Sequence, residues 1–201
     1  MPVIANMMGI NLDYYFEILP IDIQKQYKSK HITLTGEVSE LFSYMQQRIN
    51  SGSLAELFWE QGKPVAEKKI HIIIENIMHA YFIGKEVDIS REVLIKNGRV
   101  DFKLFRSNRK DEKILIEVKK ASSSYLKAGY ERQLCDYIEY SECKNAFYLI
   151  VCFTDNDYKI ANNFLRNHVY TDTYQMYINI AILDARKKPA PSKKLKIKNS
   201  H

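Results

Sequence analysis

Long hydrophobic runs are missing from this sequence, and cysteines are few. No apolar stretch approaches the roughly 18 to 20 residues of a transmembrane helix, so a membrane-spanning protein is not expected. Residues 1–20 have neither a basic start nor a small-residue cleavage site, which predicts a cytoplasmic protein. The spacing of Cys135, Cys143 and Cys152 fits neither a disulfide framework nor a CxxC zinc site, and we interpret them as buried thiols.

Several motifs of known chemistry are also missing. The chain has no phosphate-binding loop of the Walker A or GxGxxG type, which excludes the common nucleotide-binding signatures. His71 and His79 lie eight residues apart without an HExxH sequence, so we interpret both as ordinary surface or core histidines rather than as zinc ligands. Asp155 and Asp157 form a D-x-D sequence, which a helix cap explains.

Charge is unevenly distributed along the chain. The 201 residues carry 30 Lys and Arg against 24 Asp and Glu, a formal net charge of +6. Residues 1–62 are net negative, residues 63–153 are net positive, and residues 186–201 hold seven basic and no acidic side chains. The last segment has too few apolar residues to form a core. It predicts a mobile basic tail that either solubilises the protein or contacts a nucleic-acid backbone.

Apolar periodicity predicts an α/β (α+β) fold, in which helices flank a central mixed sheet. Helices are predicted at 12–27, 37–49, 70–81, 122–140 and 155–168, the last capped by Asp155 or Asn156. Strands are predicted at 89–95, 99–105, 113–119, 146–153 and 177–183. The first two strands are joined through Asn97-Gly98, which predicts a hairpin.

These elements predict three segments. Residues 1–62 form an N-terminal helical extension, residues 63–185 form the sheet-containing domain, and residues 186–201 form the basic tail. The acidic extension has no signature of its own. It is a candidate docking element for a partner subunit or for a second copy of the chain.

Two neighbouring strands of the predicted sheet bring acidic and basic side chains together. Because strand side chains alternate, Glu117 and Lys119 share one face of the third strand. In the second strand, Val100 and Phe102 share one face, and alternation places Asp101 on the other face. Consecutive strands usually pair, so two carboxylates and an ammonium group are expected to lie close together.

This residue set favours one kind of chemistry. Mg²⁺ and Mn²⁺ prefer oxygen ligands, and Mg²⁺ often binds through only one or two carboxylates. Such an ion acidifies water and neutralises phosphate charge, while a lysine orients the nucleophile or stabilises the transition state. The sequence therefore predicts metal-dependent hydrolysis of a phosphodiester.

The spacing of these residues matches a known pattern. Asp101 is followed, after fifteen residues, by Glu117-Val118-Lys119, and an apolar run precedes Glu117. This arrangement resembles the D…ExK core of the PD-(D/E)XK nuclease superfamily, with valine in place of the proline before Asp101. On the following helix, Gln133 and Tyr137 resemble the QxxxY motif of its RecB-like branch. The resemblance implies a restriction-endonuclease-like fold.

The resemblance also implies roles for single residues. Asp101 and Glu117 would ligate the metal together with the backbone carbonyl of Val118, and Lys119 would be the catalytic lysine. Gln133 and Tyr137, four residues apart and expected to face the same way, would help to position the phosphate or the DNA.

A glutamate at the start of the first core helix belongs to the same family pattern. Glu67 matches its E-x-x-apolar-x-x-x-apolar setting and lies on the apolar stripe of the helix, whereas Glu75 lies towards the flank. Glu67 would support the water shell of the metal or a second ion, with Glu75 in reserve. The alternative is an acidic residue that only stabilises the first helical turn.

The expected activity is thus that of a Mg²⁺- or Mn²⁺-dependent nuclease acting on DNA, in phage defence or DNA processing. The alternative is a catalytically inactive module of the same fold that binds nucleic acid or a partner subunit. An interaction protein unrelated to nucleic acid is disfavoured by the carboxylate and lysine set.

Overall fold

A computed structural model describes residues 20–21, 33–95, 98–107, 109–141, 143, 145–171 and 178–187. Most of the helix predicted at 12–27, the Asn97 turn position and nearly all of the basic tail lie outside the described residues. None of the helices in the described ranges is both long and apolar enough to cross a membrane.

The described ranges contain five α-helices and seven strands. The helices are α1 (Leu34–Asn50), α2 (Glu67–Phe82), α3 (Leu126–Ala128), α4 (Cys135–Tyr140) and α5 (Asp155–Thr171). A 3₁₀ turn at Ala55–Phe58 precedes β1, and a π-helical segment at Gly129–Leu134 joins α3 to α4. The strands are β1 (Trp59–Glu60), β2 (Lys63–Pro64), β3 (Asp88–Ile95), β4 (Gly98–Arg106), β5 (Arg109–Lys120), β6 (Asn145–Cys152) and β7 (Ile178–Asp184). The predicted α/β class and the order of the main elements are confirmed.

The five longer strands form one mixed sheet in the order β3-β4-β5-β6-β7. The β3-β4 and β4-β5 pairs are antiparallel, whereas β5-β6 and β6-β7 are parallel. Strands β5, β6 and β7 therefore end at one edge of the sheet, beside the beginning of β4. We call this the C-terminal edge.

Helices cover both faces of the sheet. On one face, α1 and α2 bury aliphatic side chains such as Leu41 and Ile74, and the Phe42 ring lies 5.4 Å from that of Phe147 on β6. On the other face, the α3–α4 region and α5 cover a second cluster that includes Tyr130. Helix α1 thus shares the core of the sheet, so the boundary predicted between residues 62 and 63 marks no break in the packing.

Two local features differ from the sequence predictions. Val100 packs in the second cluster, whereas Phe102 packs in the first, so their predicted common face is wrong. The regular alternation is interrupted at Asp101, between these two residues. Here β4 separates from β5, and Glu92, which lies opposite Asp101 on β3, has a φ of 50°. The β1-β2 hairpin was not predicted, because strands of two residues are too short to show a period.

The cap of α5 lies one residue earlier than predicted. Thr154 Oγ1 accepts the Asp157 amide at 3.0 Å, and Asp157 Oδ2 accepts the amides of Phe153 at 2.9 Å and Thr154 at 3.1 Å. This is a reciprocal capping box. The D-x-D sequence is thus explained by capping, through Asp157 rather than Asp155.

We expect Asp157→Ala to lower the free energy of unfolding by about 1 to 3 kcal/mol, because it removes the acceptor of two amides at a buried helix start. Chemical denaturation measures this change. Asn156→Ala alters an exposed neighbour and should leave the midpoint nearly unchanged. Equal midpoints for the two variants would contradict the capping role.

Candidate active site

Two carboxylates meet where β4 and β5 part at the C-terminal edge. The last paired residues of these strands are Phe102 and Ile116. Beyond them, side chains accept the backbone amides: Val118 N–H donates to Asp101 Oδ2 at 2.8 Å, and Asp101 N–H donates to Glu117 Oε2 at 3.4 Å. The divergence of the two strands therefore makes the space in which Asp101 and Glu117 come together.

Lys119 lies beside both carboxylates. Its Nζ donates to Glu117 Oε1 at 2.8 Å and lies 3.6 Å from Glu67 Oε1. Glu117 is 1% exposed and Lys119 9% exposed, whereas the Glu67 side chain remains about one-third exposed at the start of α2. Glu67 thus stands at the mouth of the site. Glu75 is held elsewhere, because it pairs with Arg91 at 2.9 Å.

Burial changes the proton affinity of these groups. Desolvation, followed by the nearby Asp101 carboxylate, raises the pKa of Glu117 to about 7, despite the favourable hydrogen bond from Lys119. Desolvation also raises the pKa of Asp101, opposed by His71 and Lys119. Burial alone would lower the pKa of Lys119, but Glu117 and Asp101 raise it overall, so the ammonium group stays charged.

His71 is a member of the site that the sequence interpretation missed. Its Nδ1 lies 3.6 Å from Asp101 Oδ1, and its ring packs edge-on against Phe102. Its Nε2 is buried and has no hydrogen-bond partner within the described part of the chain. The interpretation as an ordinary histidine is therefore incomplete. The available signal was the spacing of four residues from Glu67, which places both side chains on one face of α2.

Gln133 and Tyr137 occupy different environments, although they were expected to face the same way. Gln133 is exposed, and Tyr137 is buried with its hydroxyl donating to the Arg99 carbonyl at 3.1 Å. The π-helical segment between Gly129 and Leu134 inserts an extra residue into the turn, which changes the phase of the helix. Tyr137 therefore fixes the start of β4, two residues before Asp101.

The π-helical segment packs closely against Lys119 through Gly129. A Cβ atom on Gly129 would lie 3.1 Å from Lys119 Cε, 3.0 Å from Tyr148 Oη and 3.4 Å from Gln133 Oε1. Only glycine leaves the neighbours undisturbed at this close approach. The Gln133 amide oxygen and the Lys119 stem thus both lie close to Gly129.

We expect Tyr137→Phe to lower the free energy of unfolding by about 1 kcal/mol, because the Arg99 carbonyl loses its hydroxyl donor. Tyr125→Phe removes a hydroxyl from a side chain that is 70% exposed and serves as the control. Urea denaturation of both variants measures the difference. A loss in the control as large as that in Tyr137→Phe would contradict the anchoring role.

The donor set fits a divalent cation. Asp101 and Glu117 offer carboxylate oxygens, and the Val118 carbonyl points to the same side as its amide, towards Asp101. Asp101, Glu117 and Glu67 outnumber the one ammonium group, so a cation would offset buried negative charge. No cluster of three or more metal-ligating side chains is found among the described residues. Mg²⁺ often needs only one or two carboxylates from the protein, and carboxylate and carbonyl oxygens suit Mn²⁺ as well.

Comparisons with known proteins add a family but no activity. No curated protein and no solved structure shows significant similarity to the chain. A family described as a domain of unknown function matches residues 34–155, which is more than half of the chain. The match extends from α1 to the first residue of α5, so it includes every residue of the candidate site. The chain therefore belongs to the DUF8371 family.

Proposed function

We propose that the protein is a metal-dependent nuclease that hydrolyses phosphodiester bonds of DNA. The observation that carries this proposal is the convergence of Asp101, Glu117 and Lys119 where β4 and β5 part. Buried carboxylates with a charged lysine beside them are costly to a fold, and such clusters are typical of reactive sites. The resemblance to the PD-(D/E)XK superfamily supports the same reaction.

In this proposal the residues of the site have different roles. Asp101, Glu117 and the Val118 carbonyl hold the cation, with Glu67 and His71 beside them. A divalent cation supplies Lewis acidity, which acidifies water and neutralises phosphate charge. Lys119 holds its ammonium group where it orients the attacking water or meets the charge that develops on the phosphate. Water adds to phosphorus, the bond to the leaving sugar oxygen breaks, and that oxygen takes up a proton.

The proposal includes a setting for the activity. We place the nuclease in the cytoplasm, in phage defence or another form of DNA processing. Gln133, which is exposed and lies beside Gly129, would contact the phosphate or the DNA. Tyr137 would act indirectly, by holding the strand that carries Asp101.

The test is cleavage of plasmid and linear DNA with Mg²⁺ or Mn²⁺, comparing the wild type with Asp101→Asn. We expect the substitution to abolish both cleavage and calorimetric cation binding, because it removes a ligand charge. Asp136→Asn changes an exposed aspartate on α4 and should cleave as the wild type does. Equal cleavage by wild type and Asp101→Asn would refute the proposal. DNA binding without turnover in the wild type would favour an inactive binding module.

A further inference from the structure

Two lysines stand at the C-terminal edge outside the carboxylate site. Lys120 is the last residue of β5 and is half-buried, whereas Lys187 follows β7 and is exposed. Neither ammonium group forms an ion pair with a carboxylate in the ranges that the structure describes. The nearby acidic residues Asp184 and Asp155 are both engaged by Arg186. The two lysines therefore leave positive charge available for a partner.

An aromatic pair fixes the position of these lysines. Lys120 Nζ lies 5.3 Å from the centre of the Phe153 ring, and Lys187 Nζ lies 4.7 Å from the Trp59 ring. The Phe153 and Trp59 rings pack edge to face at 5.6 Å. Trp59 is itself anchored, because its Nε1 donates to the Ala185 carbonyl at 2.8 Å. The lysines thus bracket a packed aromatic pair whose cation–π contacts restrict their motion.

This row of side chains begins at the end of the strand that carries Glu117 and Lys119. Lys120 directly follows Lys119, its side chain lies on the opposite face of β5 against Phe153, and the row crosses the ends of β6 and β7. Neighbouring strands lie about 4.8 Å apart, so the row spans roughly 10 Å. One DNA strand presents about three phosphates over that distance. The spacing suits a backbone that passes over the end of β5 on its way to the site.

The sequence that follows Lys187 is also rich in positive charge. Five further lysines lie in the fourteen residues after Lys187, and no acidic residue accompanies them. Lys187, at the C-terminal edge, is thus followed directly by a strongly basic sequence.

We propose that the C-terminal edge from Lys120 to Lys187 binds the phosphate backbone of a nucleic acid beside the scissile bond. The identification of this nucleic acid as DNA rests on the proposed function. Lys120 and Lys187 contact phosphates outside the carboxylate site, and they set affinity and register rather than chemistry.

Binding without cleavage tests this assignment. The affinity of the full chain for labelled duplex DNA, single-stranded DNA and RNA is measured in EDTA over a range of salt concentrations. We expect Lys120→Gln/Lys187→Gln to weaken binding roughly tenfold per lysine at 0.1 M salt. The slope of log affinity against log salt should fall by about 0.9 for each duplex phosphate contact that is lost.

The matched control is Lys85→Gln/Arg109→Gln, which removes the same charge near the opposite edge, where β5 begins. It should keep the wild-type salt slope. Equal slopes for the two double variants, or a wild-type chain that binds none of the three polymers, would overturn the assignment. Thermal melts of both double variants check that the fold is intact.

Failure of this inference differs from failure of the proposed function. Cleavage that persists while the edge variant keeps the wild-type affinity overturns only the binding edge. A lysine-dependent salt slope in a chain that never cleaves supports the edge and refutes the nuclease. The same slope with RNA alone supports the edge and refutes DNA as the substrate.

Discussion

Replacing Lys119 by methionine is expected to reduce the rate of DNA cleavage by about 10²- to 10³-fold while the chain still folds and binds the cation. Methionine retains the aliphatic stem that lies against the Gly129 backbone, and it removes the ammonium group that donates to Glu117 Oε1 at 2.8 Å. The loss should appear in kcat, because a lysine that stabilises the transition state acts after the DNA is bound.

Lys127→Met is the matched control for this substitution. The Lys127 side chain is 74% exposed on α3 and pairs with Glu131, so its charge is screened by water. It should retain wild-type cleavage. Lys119→Arg should not restore full activity, since a larger planar guanidinium group does not put its charge where the compact ammonium group donates to Glu117 Oε1. Full activity in Lys119→Met would remove this lysine from the mechanism.

Much of the fold was predictable because its main elements have clear periods. The apolar stripe that includes Ile70, Ile74 and Met78 predicts α2, and those side chains are fully buried. The continuous apolar run of β6 predicts a strand buried on both faces, which the structure confirms. Strong apolar patterns thus made both the helix and the central strand predictable.

The site was predictable only where sequence neighbours share a strand. Glu117 and Lys119 are two residues apart on β5, so alternation alone places them together. The contact between His71 and Asp101 joins a helix to a strand thirty residues away, and its only local signal was the four-residue spacing of His71 from Glu67. The separate environments of Gln133 and Tyr137 depend on a π-helical turn, which helical periodicity does not reveal.

In the absence of divalent cations, the free energy of unfolding is expected to fall as the pH rises from about 5 to 7. Glu117 has a pKa of about 7 in the folded protein against its ordinary value of 4.5, because its carboxylate is buried beside Asp101. Over this range the folded protein binds more protons than the unfolded chain does, so raising the pH favours unfolding. The loss should be of the order of 3 kcal/mol.

A cation should reverse this loss, because it replaces the proton as the partner of the buried carboxylates and binds the folded state preferentially. Urea denaturation in EDTA and in Mg²⁺, repeated across the pH range, measures both effects. Glu117→Gln should flatten the pH profile and abolish the stabilisation by Mg²⁺, since the amide neither titrates nor offers a charged ligand. Glu131→Gln, at a half-exposed position, should behave as the wild type does. A wild-type stability that does not change over this range would show that Glu117 is not held at a raised pKa, and the cation would then have no buried proton to displace.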